Sequence, residues 1–206
     1  MNARPPHGSA RPGGRTARTR AAVLAAAYDE LDAESFSALT LDKLARRSGV
    51  HASTIRRRWR TVEGVVLDLL AERAATLPTP DSGDFRRDLH ELARFIGDFN
   101  DSLRNRNVIQ GLVAAAAHDV RAEEVVRDTF AGRIEDRTPI VRRAIDRGEV
   151  PADTDAKAVI GALAAPFYYR VLILRGSIDA RLVRTSAEAA YEAARAGVFR
   201  TGVDGE

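Results

Sequence analysis

The stretch LTLDKLARRSGVHASTIRRRWRTVEGVVLDLL, Leu39–Leu70, decides the reading of this chain. Thr40 is a good N-cap, and Leu41, Leu44 and Ala45 then recur at helical spacing. Ser48-Gly49 stops that helix, because glycine takes the left-handed conformation a sharp turn needs. A second short helix, about Ala52 to Arg58, turns Ile55 and Trp59 inward and its arginines outward. Thr61 and Glu63 open a third helix carrying Val65, Val66, Leu69 and Leu70. Helix, glycine turn and arginine-bearing helix together read as a helix-turn-helix.

The rest of the chain supports that reading through charge. Net charge is only +3, but residues 1–60 hold 12 Lys or Arg against 5 Asp or Glu, a net of +7. The remainder holds 20 against 24, a net of −4. A positive field on one end of the chain points to a polyanion partner for that end. No cysteine is present, which removes disulfides, thiolate metal sites and cysteine nucleophiles. The beginning lacks the apolar segment of a signal peptide, and no 18-residue run is uninterruptedly apolar. The expectation is a cytoplasmic protein with no membrane partner.

Almost every segment after residue 15 reads as helix, so the expected fold is all-α. Residues 1–15, rich in Pro, Gly and Arg, are expected to be a disordered basic arm. Residues 16–76 then form the helix-turn-helix unit, with a first helix from about Thr19 to Asp32. After the break at Pro78 and Pro80, residues 81–197 form a helical regulatory and dimerisation unit, and 198–206 a flexible tail. Its helices are expected at Phe85–Asn100, Val108–His118, Arg121–Arg147 with a kink or a change of helix at Pro139, Thr154–Leu174 with a bend at Pro166, and Asp179–Ala196. The cluster FYYRVLIL has strand-like composition, but its helical flanks argue for helix.

In a helix-turn-helix the second helix lies in the major groove with its first residues against base edges. Here these are His51, Ala52, Ser53 and Thr54, then Arg56 and Arg57, either of which suits a bidentate contact to guanine. His51 either contacts a base or caps its helix. Arg58 and Arg60 are better placed for phosphates, as are the amides behind Thr40 and Thr61. Arg46 and Arg47 either reach the same backbone or cap the C-terminus of their helix. The same residues also suit a small bundle with a solvated basic face. RRRWR, the turn glycine and both caps together favour DNA.

These residues carry a resemblance. Arg20 to Leu70 resembles the N-terminal domain of the tetracycline-repressor (TetR) family of bacterial transcriptional regulators, about a quarter of the chain. Leu44, Ala45, Gly49, Val50, Thr54, Ile55 and Trp59 stand where that family keeps its framework, and Thr40, Thr54 and Thr61 where it touches the DNA backbone. Four positions that bear on DNA contact depart from the pattern. Arg56 replaces a phosphate-contacting tyrosine, Trp59 a phenylalanine, Arg60 a proline, and Val62 a phosphate-binding lysine. Ser35 replaces a frequent glycine. The phosphate footprint is therefore expected on arginines. The segment APFYYRVLILRG and the alanine-rich helix after it also look like one C-terminal type of the family. The resemblance implies a homodimer, formed through the last two helices, that represses genes and leaves a palindromic double-stranded DNA operator when a small-molecule effector binds.

Leu163, Phe167, Tyr168, Val171 and Leu172, with Leu182, Ala189, Ala190 and Ala193, are the expected dimer residues. Phe95, Phe99, His118, Phe130 and Tyr169 are the expected pocket lining, though each also suits plain core. No cofactor, no metal cluster and no catalytic residues are expected, since the chain has no phosphate loop, ligand cluster or serine elbow. A transcriptional activator of the same fold and a nonspecific architectural DNA-binding protein stand as alternatives.

Overall fold

The computed structural model describes residues 14–33, 36–75, 78–118 and 120–202. Among them every regular element is helical, apart from one isolated bridge between Thr154 and Arg200. The expectation of an all-α chain therefore holds. Residues 1–13, which carry most of the expected basic arm, and 203–206 lie outside the described residues.

The chain divides into two compact units, residues 1–69 and 70–206. The division falls within a helix, not at Pro78–Pro80. The first unit contains α1 (Arg15–Ala33), a 3-10 turn (Phe36–Ala38), α2 (Leu41–Ser48), α3 (Ala52–Trp59) and most of α4 (Val62–Ala75). Its core is Val23, Leu24, Ala27, Leu31, Leu44, Ile55, Trp59, Val65 and Val66, all buried. The first helix begins four residues before the expected Thr19, so Arg15 belongs to a helix and not to the arm.

Two local devices set the α2–α3–α4 geometry. Thr40 caps α2 by accepting from the Lys43 amide, and Gly49 ends it at φ 69°. At the other end of α3, Arg60 adopts φ 62° and ψ −46°, an uncommon conformation for a residue with a side chain. The Thr61 amide then donates to the Trp59 carbonyl, and the Thr61 hydroxyl accepts from the Gly64 amide. A Cβ at Gly64 would sit 2.4 Å from that same Trp59 carbonyl oxygen, so only glycine fits there.

The second unit contains α5 (Phe85–Asp101), α6 (Leu103–Ala116), α7 (Val120–Glu135), α8 (Thr138–Asp146), α9 (Ala156–Tyr168) and α10 (Ala180–Arg195). Asp84, Ser102, Asp155 and Asp179 cap α5, α6, α9 and α10 through side-chain acceptors. Pro139 does not kink one long helix. It stands in the first turn of α8, where its missing N–H is no loss, and the break falls before it. The core joins Phe85, Leu89 and Leu92 of α5, Ile140 and Val141 of α8, Val159, Leu163 and Phe167 of α9, and Ala187, Ala190 and Ala194 of α10. Gly97 brings α5 and α10 close: a Cβ there would lie 2.9 Å from the Val183 side chain.

Pro166 stands inside α9, near its end. Beyond it α9 widens into a π-helical turn, Tyr169–Ile173, with the Leu174 amide donating to the Tyr169 carbonyl. Gln110 of α6 donates to the Val171 carbonyl at 2.8 Å. The tail does not fray at Gly197. The Asp155 amide donates to the Phe199 carbonyl, the Thr201 amide to the Asp153 carbonyl, and Arg200 Nε reaches both oxygens of the Asp153 carboxylate.

Candidate DNA interface and effector cavity

α3 presents its polar face to solvent because Ile55 and Trp59 bury the opposite one. His51, Ser53, Arg56, Arg57, Arg58 and Arg60 are exposed, and Ala52 and Thr54 are half-buried. The His51 side chain makes no cap hydrogen bond, so the capping alternative falls away. A shallow concavity of about 620 Å³ is lined by Gly49, Val50, His51, Thr54, Arg57 and Arg58, together with Arg15, Thr16 and Thr19 of α1. The α1 hydroxyls were not legible as site residues, because nothing in the sequence says which turn of α1 faces α3.

The arginines differ in their partners. Arg56 pairs with Asp42 of α2 at 2.9 Å, both side chains being exposed. The Arg58 guanidinium stacks 5.1 Å from the Trp59 ring centroid. Arg47 turns away to Glu30 and Asp29 on α1, while Arg46 is exposed. Thr40 and Thr61 both use their hydroxyls as helix caps, accepting from the Lys43 and Gly64 amides.

Behind α3, Asp68 accepts from Arg20 Nε and Nη2, the latter at 2.7 Å, and from Trp59 Nε1 at 2.8 Å. Burial pushes the Asp68 carboxyl upward. The hydrogen bonds from Arg20 and Trp59 and the attraction of Arg20 and Arg58 outweigh that and hold it below the ordinary carboxylate value. The sequence reading placed Trp59 in the core and missed that its indole N–H needs an acceptor.

The second unit holds a cavity of about 290 Å³ with mainly apolar walls. α5 contributes Ile96, Phe99 and Asn100, and α7 contributes Phe130, Arg133 and Ile134. Asp136 and Arg137 follow from the α7–α8 junction, and α9 supplies Ile160, Gly161, Ala164, Ala165 and Tyr168. Of the expected lining, Phe99 and Phe130 are here. Phe95 and Tyr169 are not, and His118 is exposed at the end of α6. Tyr168 takes the place expected of Tyr169 and packs edge-on against Phe130, centroids 5.1 Å apart. One residue is a 100° rotation on a helix, enough to exchange wall for surface.

The expected dimer residues also divide. Leu163, Phe167, Val171 and Ala190 are buried within the protomer and fill its own core, and Tyr168 lines the cavity. Leu172, Leu182 and Ala193 are half-buried and Ala189 is exposed. Ala162, Tyr169 and Ile173 recur at helical spacing on the outer side of α9 and its π turn, with Tyr169 57% and Ile173 66% exposed. The run Ala156–Ile173 is long and apolar enough to cross a membrane by length and composition. Its inner side is the core of the second unit, and its outer side is this exposed stripe. Among the described residues no group of three or more His, Cys, Asp or Glu is arranged to hold a metal ion.

Residues 79–190 match the family described as tetracyclin repressor-like, C-terminal domain. The chain is 31% identical over 180 residues to the HTH-type transcriptional regulator YdeS of Bacillus subtilis, covering 86% of this chain and 90% of that one. It is 30% identical over 180 residues to the HTH-type transcriptional regulator AqdR of Rhodococcus erythropolis, covering 86% of each. Among solved structures, the TetR family transcription regulator SCO0332 superposes with a TM-score of 0.76 at 26% identity, over 85% of this chain and 97% of that one. All three relatives are named as regulators of transcription. The chain belongs to the TetR family of helix-turn-helix transcriptional regulators.

Proposed function

We propose that this regulator is a dimeric repressor that binds a palindromic operator and leaves it when a small molecule enters the second unit. The observation that carries the DNA half is the exposed face of α3, His51 to Arg58, beside the cationic concavity it shares with α1. In this reading His51, Ala52, Ser53, Thr54 and Arg57 approach base edges. Arg46, Arg56, Arg58, Arg60 and the amides behind Thr40 and Thr61 hold phosphates. One such helix touches too few bases for a useful specificity ratio, so two copies are needed. The apolar outer stripe of α9 supports a two-helix face with Ala189 and Ala193 of α10, where small side chains allow close approach. The first unit is then the reading head, and the second dimerises and takes the effector, in the cytoplasm where the operator lies.

The test is selection of duplexes from a random pool by the purified protein, followed by sedimentation of the complex. The expected product is an inverted repeat bound by an even number of chains. Sequence-independent binding refutes the operator, and a monomer on DNA refutes the dimer. Repression is tested by placing the selected site downstream of a promoter and measuring transcription in vitro with and without the protein.

A further inference from the structure

The cavity of the second unit carries a chemical signature beyond its apolar walls. Asn100, 1% exposed, donates its amide to the Ile96 carbonyl at 2.8 Å, which fixes its orientation. Asn100 lines the cavity, and its buried Oδ1 has no hydrogen-bond partner. Nε and Nη2 of Arg133 are likewise buried and without an acceptor, and the guanidinium lies 5.5 Å from the Phe99 ring centroid and 5.2 Å from that of Phe130. Buried donors and acceptors of this kind are costly unless something completes them. The other charges do not do so. Arg137 donates to Thr79, and burial holds its guanidinium below the ordinary arginine range. Asp136 is exposed.

We propose, resting on the effector reading above, that the cavity takes an aromatic carboxylic acid carrying a hydroxyl or N–H donor. Its carboxylate accepts from Arg133, its donor reaches Asn100 Oδ1, and its ring packs among Phe99, Phe130 and Tyr168. A cation is disfavoured by two arginines, and a purely apolar neutral molecule leaves both polar groups unsatisfied. The three aromatic side chains favour a flat ring over an acyl chain, since offset and edge-on ring contacts add to area burial.

The test is calorimetric titration of the full chain with the monohydroxy-2-naphthoates, the matching naphthamides, 2-naphthoate and decanoate. At least one hydroxynaphthoate is expected to bind roughly tenfold or more tighter than its amide, as a charge-assisted hydrogen bond implies. It is also expected to bind more tightly than 2-naphthoate and decanoate. Arg133→Met abolishes the preference for acid over amide, and Arg133→Lys keeps part of it. Asn100→Ala removes the advantage of the hydroxyl. Gly161→Leu, on the cavity wall in a site with room for a Cβ, blocks every probe. Equal binding of acids and amides by the native chain, tighter binding of decanoate, or no acid binding at all overturns the proposal without reliance on any variant. Operator binding is measured in parallel. An acid that binds through Arg133 and leaves DNA affinity unchanged refutes release, not the ligand class. Release by neutral probes with Arg133 irrelevant refutes the class, not release.

Discussion

Trp59, the last residue of α3, donates its indole Nε1 to Asp68 Oδ2 of α4 at 2.8 Å. The same carboxylate is gripped by Arg20 of α1. One side chain thereby ties the C-terminal end of the reading helix to two framework helices of its unit. Hydrogen bonds to a charged group that is partly screened from water stabilise more than neutral ones.

Trp59→Phe keeps the ring and removes the donor, so it should destabilise the first unit by about 1–2 kcal/mol. Asp68→Asn should destabilise it further and remove an acid-dependent term. The folded carboxyl lies below its unfolded value, so its contribution is complete above the unfolded value. It is lost as pH falls through the folded value. Urea unfolding between pH 3 and pH 6 should therefore show a shallower acid slope in Asp68→Asn; an unchanged slope removes Asp68 from the acid response.

Gly64→Ala places a methyl group 2.4 Å from the Trp59 carbonyl oxygen, which is backbone and cannot swing aside. A loss of roughly 2 kcal/mol or more is expected, with weaker operator binding because the end of α3 must shift. Arg60→Gly has the opposite sign on stability. It relieves a positive φ of 62°, worth about 1 kcal/mol, while reducing DNA affinity if Arg60 holds a phosphate. Thermal unfolding and operator titration on both variants separate the two effects.

Arg56 is held by Asp42 at 2.9 Å when DNA is absent. Exposed pairs of this kind contribute little to stability, so Asp42→Asn should leave unfolding nearly unchanged. It should tighten DNA binding by releasing Arg56 from a competing anion. Arg56→Ala should weaken binding and reduce the slope of log K against log salt by about 1. A slope identical to that of the native chain shows that Arg56 does not neutralise a phosphate.

Leu163 and Ala189 were expected to share one role, and the fold separates them. Leu163→Ala opens a cavity in the protomer core and should cost roughly 3 kcal/mol. Ala189→Arg changes an exposed position on α10 and should leave helix content intact while converting the proposed dimer to monomer. Sedimentation equilibrium and circular dichroism on the pair distinguish core from interface.

The first unit was largely legible because its determinants are local. Thr40, Gly49, Thr61 and the Ile55–Trp59 spacing each act within one turn of their own position, and the structure shows them capping, turning and burying as read. The second unit was legible only as helices. Its residues are apolar on more than one side, so periodicity could not tell core from cavity wall from outer stripe. That is why Tyr168 and Tyr169 exchange places, and why Leu163 and Phe167 proved to be core. Residues 199–201 of the expected tail are held in place, and this was not legible because their anchor, Asp153, lies 47 residues before Arg200.

The sequence by itself determined an all-helical chain, a helix-turn-helix whose second helix turns its arginines outward and a family membership, since caps, turn glycine and charge order are written along the chain. Only the tertiary structure decided which arginines are already engaged, that Trp59 needs Asp68, and that Asn100 and Arg133 line one apolar cavity. Those facts depend on side chains from separate helices converging, and contact between residues distant in sequence follows from packing, which no local pattern encodes.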